Sequence, residues 1–131
     1  TGIRDGALAT TLIWDTGNIL TLGTDEEEMA RCVNRLAEIG GGTVVSQRGA
    51  VLYECALPVL GVLSVDSVVG LAAKTKGLGV AMERIGTVLE RPFLTIQTIP
   101  FTGLPFLRIT DRGLADIKNK RLVPLFLNAD A

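Results

Sequence analysis

The chain contains no histidine among its 131 residues, and this absence removes several classes of catalytic site. A Ser-His-Asp triad, a Cys-His pair, an HExxH helix and a metal centre with imidazole ligands all require histidine. Any catalysis within the chain would have to use carboxylates, lysine, cysteine, tyrosine or backbone groups. We therefore do not expect the chain to be a self-contained enzyme.

Cysteines and membrane signals are also scarce. Cys32 and Cys55 are far apart and form no CxxC motif, so we expect two buried thiols rather than a disulfide or metal ligands. The longest uncharged apolar stretch, 55–65, is interrupted by Pro58 and Gly61 and is too short to cross a bilayer. Because no signal peptide is recognisable either, the composition predicts a cytoplasmic protein without a membrane partner.

Neither basic nor acidic residues are in clear excess. Thirteen Lys and Arg residues stand against fourteen Asp and Glu residues, which gives a formal net charge of −1. A nucleic-acid-binding surface needs a basic excess, so we predict no nucleic-acid partner. The small basic group of Lys118, Lys120 and Arg121 is interpreted as a solvated turn.

The chain has enough apolar residues to form a hydrophobic core. Hydrophobic residues make up 47% of the sequence, which excludes a disordered chain and suits a single domain over 1–131. The sequence begins with Thr1 rather than Met. From this start we expect the chain to be a piece of a longer polypeptide.

The first part of the chain predicts two strands and a helix. Alternating apolar residues predict a strand over 7–14, and the turn residues 15–18 lead into a second strand over 19–22. Thr24 and Glu27 have the spacing of a capping box at the start of a helix. The apolar face of this helix consists of Met29, Val33, Leu36 and Ile39. The acidic first turn, 25–28, matches the helix dipole and lacks the spacing of a calcium loop.

A glycine run and a second hairpin follow. Residues 40–42 are all glycine and should end the helix, because glycine adopts the left-handed conformation without a steric penalty. A phosphate loop needs the order strand, loop, helix, and here the order is reversed. Strands over 43–47 and 50–57 flank Arg48 and Gly49, which predict a two-residue hairpin turn.

The rest of the chain predicts a longer helix and further strands. Ser64 or Asp66 would cap a helix that runs to about Leu89, and Gly77 and Gly79 indicate close packing or a break within it. Its apolar stripe consists of Val68, Leu71, Ala72, Leu78, Met82, Ile85 and Leu89. Three later strands are predicted over 93–99, 106–109 and 122–127, with a turn over 111–113.

Hairpin connections dominate this order, so we predict an α+β fold rather than a doubly wound one. It would consist of mostly antiparallel sheet layers packed with two main helices, in the order strand-strand-helix, strand-strand-helix, strands. Both helices should lie on a face of the sheet. We expect them to bury Met29, Val33, Leu36, Ile39, Met82 and Ile85.

Several segments resemble the carboxy-terminal domain of bacterial and archaeal adenine deaminases. They are GALATT, NILTLGTDEEEMARCVNRLAEIGGGTVV, QRGAVLYECALPVLGVLS, RPFLTIQTIP, LRITDRGLADI and LVPLF. The resemblance covers about residues 6–126, and MARCVNRLAEIGGG is its most specific run. It implies that the chain is one part of an amidohydrolase that converts adenine and water into hypoxanthine and ammonia.

The resemblance also implies where the chemistry takes place. In that family a metal-activated hydroxide attacks the purine, and the Fe or Mn ions lie in a TIM barrel that precedes this domain. We therefore expect neither a catalytic residue nor a metal or other cofactor in this chain. The expected partner is the amidohydrolase barrel domain of the same polypeptide, and a homo-oligomer is a further possibility.

The clearest departure from the family lies in the first hairpin turn, where the family carries His-Asp-Ser-His-Asn. The matching positions are Trp14, Asp15, Thr16, Gly17 and Asn18, so that both histidines are replaced. We take this loop as the candidate site that faces an active site or a domain interface. The departure leaves two alternatives for the parent protein, which are a different substrate and a loss of activity.

Two questions remain open from the residues alone. A tryptophan at a strand end needs packing partners, so Trp14 is interpreted as a core residue, with a contact to another domain or a ligand as the alternative. The competing hypothesis for the whole chain is a free-standing module that binds a small ligand or forms oligomers through its sheet. No sequence feature excludes this second hypothesis.

Overall fold

The computed structural model describes residues 1–126, and within them the chain forms seven strands and three helices in two antiparallel sheets. In chain order the elements are β1 (Ala7–Thr10), β2 (Leu20–Gly23), α1 (Glu26–Ile39), β3 (Gly42–Gln47), β4 (Ala50–Ala56), α2 (Val68–Arg84), α3 (Pro92–Thr98), β5 (Leu107–Thr110), β6 (Gly113–Asp116) and β7 (Arg121–Val123). The central sheet has the order β2-β1-β3-β4, and the second sheet has the order β5-β6-β7. The predicted α+β class with antiparallel sheets is confirmed.

The two main helices cover opposite faces of the central sheet. Successive side chains of a strand point to opposite faces, and β1 is apolar on both. Ala7 and Ala9 pack with Cys32 of α1, whereas Leu8 packs with Met82 of α2. The domain is therefore layered as α1, sheet and α2, and the expectation that both helices lie on a face of the sheet holds for each helix separately.

The face of α1 that meets the sheet differs from the predicted one. Glu28, Cys32 and Leu36 are the buried residues of this helix, and they follow one another at intervals of four. Met29, Val33 and Ile39, which were expected in the core, are only partly buried at its margin. The expected burial of Leu36, Met82 and Ile85 is confirmed, and both cysteines are buried free thiols, as predicted.

The ends of α1 follow from local side-chain chemistry. Asp25, rather than the predicted Thr24, caps the helix, because its Oδ1 atom accepts a hydrogen bond of 2.9 Å from the backbone N–H of Glu28. The Thr24 hydroxyl instead contacts the backbone of Gly6 beside β1. The helix ends as predicted at Gly40, which has φ 75°.

Helix α2 runs unbroken through both of its central glycines. Ser67 caps it by accepting a hydrogen bond from the backbone N–H of Gly70, so the predicted caps at Ser64 and Asp66 are three residues and one residue too early. The helix ends at Arg84. Of the predicted apolar stripe, Leu78 and Met82 are buried in the second half, together with Ala81, and Leu71 of the first half is partly buried against the core. In the first half Val68 and Ala72 are exposed.

The strand predicted over 93–99 is wrong, because these residues form the short helix α3. Pro92 at its first position fits the start of a helix, where the missing N–H is not needed. Phe93, Ile96 and Ile99 are three residues apart and all belong to the core on the α2 side of the sheet. This spacing places the three side chains on one face of a helix but not of a strand, so that contact with the core selects the helix.

The second sheet is built from short strands at the end of the described chain. Strand β5 confirms the strand predicted over 106–109, whereas β6 was not predicted. Strand β7 covers only part of the strand predicted over 122–127. The last residue of that predicted strand lies outside the described part of the chain. Lys118 and Lys120 are exposed in the turn between β6 and β7, as predicted, whereas the exposed Arg121 is the first residue of β7 and not part of the turn. Within residues 1–126, no helix has the length and apolar character needed to cross a bilayer.

Candidate functional site

The candidate loop leaves the central sheet earlier than the sequence pattern predicts. Strand β1 ends at Thr10, so Trp14 lies outside the strand that was predicted over 7–14. Thr11, which directly follows the last residue of β1, forms the base of the loop. Its backbone N–H donates to the carbonyl oxygen of Gly42 at 2.9 Å, and its hydroxyl accepts from the N–H of Gly42 at 2.7 Å. The loop is therefore anchored to β3 where β1 ends.

Asp15 occupies a strained backbone position at the tip of the loop. Its φ of 74° lies in the left-handed region that a residue with a Cβ rarely adopts. The backbone N–H of Thr16 donates to the carbonyl oxygen of Trp14 at 2.9 Å, which closes a three-residue γ-turn around Asp15. The Asp15 carboxylate accepts a hydrogen bond of 3.3 Å from the Thr102 hydroxyl. The fold thus holds this carboxylate in a fixed place at the surface.

Trp14 is a surface residue, so the interpretation as a core residue is wrong. Its side chain is 45% exposed, and its ring meets the ring of Phe101 edge-on at a centroid distance of 5.8 Å. Its backbone N–H lies 3.4 Å from the carbonyl oxygen of Gln97 in α3. The segment 93–99, which was predicted as a strand, therefore contacts the candidate loop through α3.

An apolar cleft of about 880 Å³ lies beside the loop, between the two sheets. Its lining comes from three parts of the chain: Ile13, Thr16, Asn18, Ile19 and Leu20 near the loop, Ile99, Pro100 and Thr102 after α3, and Leu107, Arg108, Ile109, Thr110 and Asp111 of β5 and its turn. Thr16 has a buried hydroxyl for which residues 1–126 provide no hydrogen-bond partner. The exposed Asn18 adds an amide to the same wall.

The structure divides the five candidate residues into two groups. Thr16 and Asn18 line the cleft, whereas Trp14 and Asp15 contact the segment that follows α3. Gly17 has φ 63° and, within the described chain, open space around it, so it allows the loop to turn without packing against anything.

Three neighbours of the candidate loop were not predicted. Phe101 and Thr102 touch it, and Arg108 donates a hydrogen bond of 3.2 Å from its Nε atom to the carbonyl oxygen of Phe101. Arg108 belongs to β5, whereas Phe101 and Thr102 come from a stretch that contains Pro100, Gly103 and Pro105. Its turn composition was the one signal that a functional loop could be located there.

The arrangement offers hydrogen bonds rather than acid and base catalysis. A carboxylate accepts, and an asparagine amide both donates and accepts. Among the described residues, no three Cys, Asp or Glu side chains come together in a group that could hold a metal ion. The Fe or Mn sites that the family resemblance implies would use imidazole and carboxylate ligands. These residues therefore do not fit an Fe or Mn centre, and we derive no catalytic step through a metal.

Comparison with known proteins identifies the family. The model of the adenine deaminase C-terminal domain matches residues 1–121. An adenine deaminase from Brucella anthropi is 42% identical over 116 residues, which is 88% of this chain and 21% of that protein. Adenine deaminases from Clostridium botulinum strain 657 and Brucella abortus strain 2308 are 40% and 41% identical over 126 and 116 residues, covering 96% and 88% of this chain.

The chain is short in comparison with these relatives. It spans 21% of the Clostridium protein and 20% of the Brucella abortus protein, or about a fifth of each. The family model nevertheless extends over nearly all of the described residues. The chain belongs to the adenine deaminase C-terminal domain family.

Proposed function

We propose that the chain is the C-terminal domain of an adenine deaminase-like, metal-dependent amidohydrolase, and that catalysis takes place in another domain of the same polypeptide. The reaction would convert adenine and water into hypoxanthine and ammonia. The family match over residues 1–121 supports this proposal, together with relatives that are about five times as long as the chain. The Fe or Mn ions expected for the family would belong to that other domain, a barrel, and the whole protein would be cytoplasmic.

The chemistry of the reaction agrees with catalysis in another domain of the polypeptide. Hydrolytic deamination needs a water whose pKa has fallen towards neutrality, and a bound metal ion is one means of lowering it. The sequence contains no imidazole, and the candidate loop offers one carboxylate and one amide. Such a loop can position a substrate, but it does not by itself activate the attacking water or the leaving ammonia.

We infer that Asp15 and Asn18 contact the purine held by the catalytic domain. The Asp15 carboxylate would accept a hydrogen bond from an exocyclic amine or a ring N–H, and the Asn18 amide would pair with a ring nitrogen and its neighbouring N–H. The observation that carries this inference is the backbone of Asp15, whose φ of 74° is maintained by the fold although it is unfavourable for aspartate. Strain of this kind is concentrated at functional sites.

The two replaced histidines limit the role of the loop. With Trp14 and Gly17 at those positions, the loop has no imidazole, the side chain that ordinarily exchanges a proton near neutral pH. The half-exposed Trp14 instead provides aromatic surface for contact with a planar ring. The loop would therefore orient the substrate, and proton transfer would depend on residues of the catalytic domain.

The test uses the complete polypeptide that carries this domain, with Asp15→Asn and Asn18→Ala as separate variants. Each should lower kcat/KM for adenine about 10- to 100-fold, since each removes one hydrogen bond with charged or polar character. Glu27→Gln and Asn34→Ala on the exposed side of α1 are matched controls that should leave kcat/KM unchanged. Wild-type kcat/KM in both loop variants would refute a role in substrate contact.

The free-standing module remains a second candidate, and the cleft of about 880 Å³ favours it. A cavity of this size is within the range of small-molecule sites. Calorimetric titration of the chain with purines, together with sedimentation of the chain alone, separates the two functions. Saturable purine binding at nanomolar to micromolar concentration, or a stable homo-oligomer, would favour the module.

A further inference from the structure

Exposed apolar side chains are concentrated at the end of the central sheet that carries the candidate loop. The stretch 56–65, which connects β4 to α2, contains no charged residue. Large apolar side chains there and in the first turn of α2 are mostly exposed. We call this surface the apolar end, and it consists of Ile19, Leu60, Leu63, Val65, Val68 and Val69.

Leu60 is held outwards by its backbone. It has φ 57°, a conformation that is unfavourable for leucine, and its side chain is 89% exposed. The next residue, Gly61, is fixed by a hydrogen bond of 2.6 Å that its carbonyl oxygen accepts from the Thr11 hydroxyl. The same hydroxyl accepts from the N–H of Gly42 in β3. The fold thus maintains a strained turn that presents an apolar side chain to solvent.

The apolar end is continuous with the candidate loop. Ile19, which is 46% exposed, lines the cleft described above and also a second depression that it shares with Leu60 and Gly41. The other end of the sheet is different, because Arg48 in the β3–β4 turn forms an exposed ion pair of 3.0 Å with Asp5. One end of the sheet is therefore suited to solvent and the other to an apolar partner.

We propose that the apolar end is the surface on which the rest of the adenine deaminase polypeptide packs, with Leu60 inserted into that partner. This proposal rests on the proposed function. About four fifths of each relative lies outside the part that this chain matches, so a large covalently linked partner is available. A partner that brings its active site to the Trp14–Asn18 loop approaches from the same end of the sheet, and it covers Ile19 and Leu60 as it does so.

Hydrogen exchange followed by mass spectrometry tests this contact, with the chain of 131 residues compared against the complete polypeptide. Peptides covering 57–65 should exchange at least about tenfold more slowly in the complete polypeptide. Peptides covering the charged turn at 46–51 should exchange at the same rate in both. Equal exchange of 57–65 in the two samples would overturn the proposal.

Two variants show whether Leu60 is the point of insertion. Leu60→Asp in the complete polypeptide should raise exchange of 57–65 to the rate of the chain alone, since a carboxylate is unfavourable in an apolar contact. Val80→Asp, at an exposed apolar site in the middle of α2, is the matched control and should leave the exchange unchanged. In the chain alone, both variants should unfold cooperatively, which shows that any change in exchange comes from the contact.

The outcomes also separate this proposal from the proposed function. Protection of 57–65 in the complete polypeptide together with wild-type kcat/KM in the Asp15 and Asn18 variants would retain the contact and refute the substrate role of the loop. The reverse combination would refute the contact alone. Protection that appears in the chain alone as its concentration rises would overturn the proposal, because the surface would then bind a second copy.

Discussion

The Tyr53 side chain lies directly against Gly77. A Cβ atom at position 77 would be 2.5 Å from the Tyr53 hydroxyl oxygen and 2.7 Å from the ring carbon that carries it. The hydroxyl donates a hydrogen bond of 3.1 Å to the carbonyl oxygen of Lys74, one turn earlier in α2. The missing side chain at Gly77 therefore allows β4 and α2 to approach closely, which explains a glycine in the middle of a helix.

The two glycines of α2 should respond oppositely to alanine. Gly77→Ala should lower the free energy of unfolding by about 1–3 kcal/mol, because the methyl group overlaps the Tyr53 ring. Gly79→Ala should raise it by about 0.5–1 kcal/mol, since alanine is the better helix former and, in the described part of the chain, no atom lies within 4 Å of its Cβ. Urea unfolding of both variants measures the difference, and a Gly77→Ala variant as stable as Gly79→Ala would contradict the packing.

The ion pair between α1 and β4 should make stability depend on pH. Arg35 donates to both oxygens of the Glu54 carboxylate at 2.7 and 3.1 Å, and this hydrogen bonding lowers the pKa of Glu54 in the folded chain. A lowered carboxyl pKa stabilises the folded state above the unfolded pKa, and the contribution is lost as the pH falls through the folded pKa. The effect is small, because the two side chains are 36% and 39% exposed.

Glu54→Gln isolates this contribution. Above about pH 5 the wild type should be more stable than the variant, and the difference should vanish as the pH falls below the folded pKa of Glu54. Thermal unfolding at a series of pH values measures it. Glu83→Gln, at an exposed position of α2, is the matched control for replacing a carboxylate outside this ion pair. A difference between wild type and Glu54→Gln that stays constant down to about pH 2 would contradict the assignment.

Both thiols should be unreactive in the folded chain. Burial raises the pKa of Cys32 and of Cys55, so little thiolate is present near neutral pH. The Cys32 thiol also donates a hydrogen bond of 3.0 Å to the Ser46 hydroxyl. We expect labelling by an aromatic disulfide reagent to be slow in buffer and rapid in concentrated guanidinium chloride. The single variants Cys32→Ser and Cys55→Ser assign the rates, and rapid labelling of either thiol in the native chain would contradict its burial.

Elements with local signals could be predicted from the sequence. The end of α1 at Gly40 follows from glycine alone, and the β3–β4 turn follows from Arg48 and Gly49, whose φ values of 54° and 81° suit a two-residue hairpin. Helix α3 could not be predicted in this way. Residues 93–99 were predicted as a strand, whereas Phe93 and Ile96 share a face only in a helix, and the core that selects the helix is assembled from distant parts of the chain.

For the candidate site, likewise, the residues could be predicted from the sequence but their geometry could not. Resemblance to a family singled out the residues of the loop, but their geometry depends on partners far away in the sequence. Just after β1, Thr11 bonds to Gly42, 31 positions later, and the Asp15 carboxylate accepts a hydrogen bond from Thr102, 87 positions later. Contacts over such separations leave no periodic pattern, and so neither the γ-turn nor the cleft could be predicted from the sequence.

Catalysis is proposed to take place outside this chain. The direct test is ammonia release from adenine by the chain of 131 residues, supplemented in turn with Fe²⁺, Mn²⁺ and Zn²⁺, with bound metal measured by mass spectrometry. The complete polypeptide under the same conditions is the positive control. We expect no ammonia above the buffer blank and no stoichiometric metal in the chain, whereas stoichiometric metal accompanied by turnover would contradict the account.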